Sequence, residues 1–156
     1  MTEAEALRKV TSHCSCGERC RAEVVEKMQR WGLPYATIDR IVEQMVQEKY
    51  IDEERYCKAF VHDKYRLEKW GKQKIAQALQ LKKIPSVVYW PYLNGIDQEE
   101  YLDILNKLLL SKRKSIHAAD EYELNGKLIR FALSRGFEMD DIRRCIPVEE
   151  ENGNLE

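Results

Sequence analysis

The sequence predicts an all-α protein of three tandem three-helix repeats that form an elongated, curved body. Its 156 residues include only 7 glycines and 4 prolines, and 34% of them are charged, a composition that favours helices over a turn-rich β-sandwich. A pattern also recurs along the chain. Leu33, Ile84 and Phe137 lie 51 and 53 residues apart, and each has apolar residues nine positions before it and five and nine positions after it. Self-similarity at such a period is typical of stacked helical repeats.

Each repeat is predicted to contain three helices joined by short connections. The repeats span residues 1–49, 50–95 and 96–146. The helices are predicted near residues 3–12, 18–31, 35–48, 52–68, 72–82, 86–93, 97–113, 118–135 and 139–146. The last residues, 147–156, are acidic and lack an apolar period, which predicts a disordered tail.

Residues typical of helix ends support these boundaries. Asp97 is suited to an N-cap, and Glu100 follows it at the spacing of a capping box. Gly32 and Gly136 suit the left-handed position just after a helix. Two prolines are predicted at the first helical position, where a missing N–H costs little; they are Pro34 and Pro85.

Basic residues concentrate in the middle of the chain, although the formal net charge is only −1. Residues 55–83 contain nine basic residues against Asp63 and Glu68. Four residues spaced by 4, 4 and 3 form one stripe of the predicted helix, and two lysines follow at the start of the next helix, where backbone N–H groups also favour phosphate. A solvated, solubilising face is the alternative interpretation. The candidate nucleic-acid-binding residues are Lys58, His62, Arg66, Lys69, Lys72 and Lys74.

Apolar and aromatic residues accompany the basic stripe. The core-facing side of the same helix is predicted to be formed by Tyr56, Ala59, Phe60 and Leu67. Tyr65 and Trp70 lie among the basic residues, and either side chain is able to stack on an unpaired base. For Trp70, packing at a helix end is the alternative.

Catalytic motifs are absent from the sequence, so we predict that the protein is not an enzyme and uses no cofactor. The three histidines are scattered, and no GxSxG, P-loop or GxGxxG motif occurs. The best cluster of soft metal ligands contains Cys14, Cys16 and Cys20, but it lacks the paired spacing typical of zinc sites. We therefore predict no metal there and interpret these residues as thiols that pack a helix–helix turn.

The sequence predicts a cytoplasmic protein that does not enter a membrane. No apolar run approaches the roughly 18 residues that a membrane-spanning helix needs, and the N-terminal residues lack the apolar segment of a signal peptide. The chain has five cysteines, and because this number is odd they do not suggest a closed set of disulfides.

Three segments resemble the RecX family of bacterial recombination regulators. The segment YIDEERYCKAFV at residues 50–61 resembles the family's most characteristic motif, KWGKQKI at 69–75 resembles its continuation, and SRGF at 134–137 resembles its third-repeat signature. The sequence departs from the family pattern at Cys20, where serine is usual, and at Lys83, where glycine is usual. The family motif residues are Asp52, Arg55, Tyr56, Phe60, Val61, Gly71, Ile75, Arg135, Gly136 and Phe137.

This resemblance implies a non-enzymatic negative regulator of RecA, with roles in DNA repair and the SOS response. Members of the family are built from three three-helix units, bind the groove of the RecA–DNA filament and inhibit its ATPase, strand-exchange and coprotease activities. The implied partners are the RecA filament and single- and double-stranded DNA without sequence preference, and the expected state is a monomer. A stand-alone DNA-binding protein of the helix-turn-helix type is the alternative, and a metal–thiol sensor is a third.

Overall fold

The computed structural model describes residues 1–146, so the tail predicted at 147–156 lies outside the described residues. Within the described residues the chain forms nine α-helices and no β-strand, which confirms the all-α prediction. Every helix end lies within three residues of its predicted position. The helices are α1 (Glu3–Ser15), α2 (Arg21–Arg30), α3 (Tyr35–Gln47), α4 (Glu53–Arg66), α5 (Lys72–Leu81), α6 (Ser86–Asn94), α7 (Gln98–Arg113), α8 (Glu121–Ser134) and α9 (Met139–Cys145).

The described residues group into two compact units, each with its own core. The first unit contains residues 1–60 and 79–89, and the second contains residues 61–78 and 90–146. In the first, α3 packs against α1 and α2 around Val10, Met28 and Ile41. In the second, α7, α8 and α9 pack on one another around Tyr101, Leu105, Leu128 and Ile142. Each such side chain contributes roughly 1.5–3 kcal/mol on burial. No helix among the described residues is long and apolar enough to cross a membrane.

Side-chain caps fix the starts of α4 and α7, as Thr2 and Asp120 do for α1 and α8. Asp52 Oδ1 accepts a hydrogen bond from the Arg55 N–H at 3.0 Å, and Asp97 Oδ2 accepts one from the Glu100 N–H at 3.0 Å. The capping box predicted at Asp97 is wrong in its second half, because the Glu100 carboxylate turns to other partners and accepts hydrogen bonds from Tyr65 and Arg66 instead.

Two details of the predicted helix boundaries are wrong for local reasons. Pro34 is the N-cap of α3 and Pro85 precedes Ser86, so each proline lies one residue before the helix rather than at its first position. The backbone of Pro34, with φ −62° and ψ 150°, is extended. Leu67 is 74% exposed rather than in the core, because α4 ends at Arg66 and Leu67 no longer follows the apolar face of the helix.

Five residues outside the helix interiors have left-handed backbone conformations. Gly32 (φ +77°) and Gly136 (φ +96°) confirm the predicted helix-end glycines. Three lysines adopt the same conformation, namely Lys49 (φ +65°), Lys69 (φ +58°) and Lys83 (φ +62°). A side chain at such a position costs roughly 1–2 kcal/mol, which a glycine avoids.

We expect Lys83→Gly to stabilise the protein by about 1 kcal/mol, because it removes the left-handed strain of Lys83. Urea unfolding measures this as a higher midpoint with an unchanged slope. The control is Lys58→Gly at an exposed position inside α4, which is expected to lower stability by about 1 kcal/mol. A lower midpoint for Lys83→Gly would contradict the assignment of strain.

Candidate nucleic-acid interface

The basic residues predicted to bind nucleic acid lie on α4, on the turn after it and on the first turn of α5. The exposed members are Lys58, His62, Arg66 and Lys69, and the half-buried members are Lys72 and Lys74. Lys58 belongs to the first unit and the other five belong to the second.

Arg66 is held by a carboxylate rather than left to the solvent. Its Nε donates to Glu100 Oε2 at 2.8 Å, and Tyr65 Oη donates to Glu100 Oε1 at 2.8 Å. The Tyr65 hydroxyl and the Arg66 guanidinium together hold the pKa of Glu100 below its usual value. His62 Nε2 lies 3.1 Å from Arg66 Nη1. Glu100 therefore holds the guanidinium in place and pairs with its charge.

The two aromatic residues of this region have different environments. Tyr65 is only 7% exposed and bonded to Glu100, so the interpretation that its ring stacks on a base is wrong. Trp70 is half-buried, and the Nζ atoms of Lys64 and Lys74 each lie 4.6 Å from its ring centroid. The backbone N–H of Trp70 also donates to the Lys64 carbonyl oxygen at 2.9 Å. The indole thus positions two ammonium groups by cation–π attraction.

The start of α5 is occupied by the protein itself. The N–H groups of Gly71 and Gln73 donate to the carbonyl oxygens of Arg135 (2.7 Å) and Gly136 (3.0 Å). The N–H of Lys72 donates to Tyr101 Oη at 2.9 Å, while its Nζ lies 4.8 Å from the Tyr101 ring centroid. The expectation that these helix N–H groups hold a phosphate is therefore wrong.

Two family motif segments of the second unit contact each other through their glycines. A Cβ atom on Gly71 would lie 2.2 Å from the carbonyl carbon of Gly136, closer than real Cβ contacts come. Arg135 closes the same contact, because its Nη2 donates to the carbonyl oxygen of Glu68. Next to it, the rings of Tyr101 and Phe137 lie 5.2 Å apart. These motif glycines are structural, a role that local sequence patterns do not reveal.

The remaining family motif residues are also structural. Arg55 Nε donates to Glu18 Oε2 at 2.6 Å. The Tyr56 and Phe60 rings stack with centroids 5.6 Å apart, and Val61 and Ile75 are buried. Together with the Asp52 cap, they fix the ends and packing of α4 and α5.

The cysteines nearest one another occupy different environments around the α1–α2 turn. Cys16 is exposed, Cys14 is half-buried and Cys20 is buried. Burial raises the pKa of Cys20 to about 11 and that of Cys57 to about 12. Cys20 stands at the N-cap of α2, and its N–H donates to Glu23 Oε1 at 2.9 Å. Among the described residues no group of three His, Cys, Asp or Glu is arranged to hold a metal ion.

We expect Cys16 to react first with a thiol reagent at pH 8, because it is exposed. Cys20 and Cys57 are expected to react only after unfolding, because they are buried and remain protonated at this pH. The kinetics of the absorbance change on adding a disulfide reagent measure this. Cys16→Ser should remove the fast phase, and a fast phase that persists in this variant would contradict the assignment.

The fold and the motif contacts define a class of protein: a helical protein built from three-helix domains. Two family models match it, described as RecX, second three-helix domain, over residues 52–88, and RecX, third three-helix domain, over residues 98–146. The chain belongs to the RecX family.

Individual relatives agree with this assignment. Regulatory protein RecX of Clostridium tetani is 30% identical over 126 residues, which are 80% of this chain and 57% of the relative. Regulatory protein RecX of Clostridium perfringens (strain 13 / Type A) is 31% identical over 141 residues, which are 86% of this chain and 62% of the relative. The chain thus spans about three fifths of the length of these curated relatives.

Two solved structures share the fold. A crystal structure of regulatory protein RecX matches with a TM-score of 0.86 at 20% identity. The match covers 94% of this chain and 73% of the crystallised chain. The crystal structure of RecX from Lactobacillus salivarius matches with a TM-score of 0.80 at 19% identity. That match covers 92% of this chain and 93% of the Lactobacillus chain. These matches support the repeated helical architecture predicted from the sequence.

Proposed function

We propose that this chain is a RecX-like negative regulator of RecA that binds the groove of the RecA–DNA filament and inhibits its ATPase, strand-exchange and coprotease activities. The observation that carries the proposal is the match of residues 52–88 and 98–146 to two RecX domains. The protein acts on RecA and DNA by binding, as a monomer in the cytoplasm, and contributes to DNA repair and the SOS response.

The DNA part of this function rests on the exposed basic residues. Lys58 and Lys69 are exposed, with Lys69 Nζ also 3.4 Å from the Arg66 carbonyl oxygen, and Lys64 and Lys74 hold their ammonium groups at the Trp70 ring. Ammonium groups act on phosphates as point charges and read no base sequence. Binding is therefore independent of sequence and weakens as salt rises.

A regulator of this kind is tested by the ATPase of the cognate RecA on single-stranded DNA. We expect this protein to inhibit ATP hydrolysis when it is present at less than one molecule per RecA protomer, because a groove-bound molecule touches more than one protomer. If the RecA ATPase rate stays unchanged at a severalfold excess of this protein over RecA, the proposal is overturned.

DNA footprinting separates the proposal from the helix-turn-helix alternative. A regulator of RecA protects no preferred sequence, whereas a helix-turn-helix protein that reads bases protects a defined site. Repeating the footprinting on the same oligonucleotides with and without RecA shows whether the protein contacts DNA within the RecA filament or DNA alone.

We expect Glu100→Gln to tighten DNA binding about threefold at low salt, because removing one carboxylate frees the charge of Arg66. The amide oxygen of the introduced glutamine still accepts a hydrogen bond from Tyr65, so the local fold is kept. Fluorescence anisotropy of a labelled oligonucleotide measures the change. The control is Glu123→Gln, which removes a carboxylate paired with Lys127 instead. Equal tightening by both variants would point to net charge rather than to Arg66.

A further inference from the structure

A polar cleft opens in the first unit, and none of its lining residues is among the basic residues of α4 and α5. Its volume is about 260 Å³. It lies before residue 52, where the matches to the two RecX domains begin. The residues that line it are His13, Arg19, Glu23, Glu26, Lys27 and Arg30.

The carboxylate of Glu23 is neutralised by groups that do not line the cleft. Its Oε1 accepts a hydrogen bond from the Cys20 N–H at 2.9 Å, and its Oε2 pairs with Lys82 Nζ at 2.9 Å. The pKa of Glu23 lies below its usual value because these hydrogen bonds and the Lys82 charge outweigh its burial. Glu26 is then the lining carboxylate that remains to offset three lining cations.

The lining cations are positioned but not all paired. Arg19 Nε donates to His13 Nε2 at 3.0 Å, so His13 is a neutral acceptor that orients the guanidinium. Lys27 Nζ lies 5.8 Å from the Trp31 ring centroid. Among the residues that the structure describes, neither Lys27 nor Arg30 has a carboxylate oxygen within 4.0 Å.

We propose that this cleft is a phosphate-binding site, which takes a phosphate group of a nucleic-acid backbone or of a small phosphorylated molecule. Two guanidinium groups and one ammonium group supply the charge-assisted donors that phosphate oxygens prefer. The volume is below the usual range for a drug-sized ligand but has room for a phosphate group together with part of the molecule that carries it. The site gives the first repeat an anion contact separate from the lysines of α4 and α5.

The test is a titration of the full chain with inorganic phosphate at constant ionic strength, read by NMR on the His13 ring. His13→Gln identifies the resonance among the three histidines. We expect a saturable shift of the His13 signal and a raised His13 pKa, because a bound anion favours the charged imidazolium. A shift that does not saturate, or that chloride reproduces, would overturn the proposal.

Variants test which residues carry the binding. Lys27→Gln with Arg30→Gln should weaken phosphate binding at least about tenfold, because each removes a charge-assisted hydrogen bond. Arg8→Gln is the control, since Arg8 is exposed on α1 and does not line the cleft. Equal weakening by the control would refute a localised site. Circular dichroism checks that each variant is folded.

Competition identifies the source of the phosphate. If a single-stranded dT oligonucleotide displaces inorganic phosphate, and the double variant lowers its affinity, the ligand is a nucleic-acid backbone. If phosphate binds in the cleft but the oligonucleotide leaves it in place, the ligand is a small phosphorylated molecule. A polyglutamate peptide that displaces phosphate more strongly than the oligonucleotide does would overturn a phosphate-selective site.

Discussion

Gly71→Ala is expected to destabilise the protein by about 3 kcal/mol or more, a large part of the stability of an ordinary domain. The added Cβ would lie 2.2 Å from the Gly136 carbonyl carbon and 2.3 Å from the Phe137 nitrogen. Both are backbone atoms, so no side-chain rotation relieves the clash. The turn before α5 has to move away from the turn before α9.

That movement also breaks hydrogen bonds. The Gly71 and Gln73 N–H groups donate to the Arg135 and Gly136 carbonyl oxygens, and separating the turns exposes or orphans all four groups. Gly136→Ala should cause a loss of similar size, because its φ of +96° disfavours a side chain and its Cβ would lie 2.5 Å from the backbone nitrogen of Lys74.

Urea unfolding of Gly71→Ala, with Gly126→Ala as the control, measures the effect. Gly126 lies inside α8, where an added Cβ would meet only the Arg130 guanidinium, at 3.6 Å. Alanine there is expected to stabilise the protein by about 0.5–1 kcal/mol, because glycine is a poor helix former. A stability of Gly71→Ala within about 1 kcal/mol of wild type would show that the two turns separate at little cost.

The helices were predictable because local patterns determine them. Asp52 caps α4 as its residue type suggests, and Gly32 and Gly136 end helices as expected. The error at Leu67 also has a local origin, since a periodic pattern does not say at which residue a helix stops. The family was predictable for a different reason: its motif residues make the contacts between helices, which restricts them to a few residue types.

The candidate site was predictable only in part. Sequence spacing predicted that Lys58, His62 and Arg66 are exposed, and each of them is. It did not predict that Glu100, 34 residues after Arg66, neutralises this arginine. Nor did it predict that carbonyl groups more than 60 residues away along the chain occupy the N–H groups at the start of α5. Such long-range partners leave no periodic signal in the sequence.

Charge reversal of Lys58 and Lys69 to glutamate is expected to lower the affinity for single-stranded DNA at least about tenfold at low salt. Both lysines are exposed, and neither packs on an aromatic ring or starts a helix, unlike Lys72 and Lys74. Their replacement therefore removes positive charge without removing an aromatic contact, although it loses the long hydrogen bond from Lys69 Nζ to the Arg66 carbonyl oxygen, at 3.4 Å. If each lysine neutralises one phosphate, the slope of log affinity against log salt should fall by about 1.4.

The matched control is Lys49→Glu with Arg8→Glu, which makes the same change in net charge. Lys49 has the left-handed backbone of Lys69, and Arg8 is exposed inside α1 as Lys58 is inside α4. Equal loss of affinity in both double variants would mean that DNA responds to net charge alone. If only the Lys58/Lys69 variant loses affinity yet still inhibits the RecA ATPase, the DNA contact and the RecA contact use different residues. Loss of both properties places the two contacts on the same basic residues.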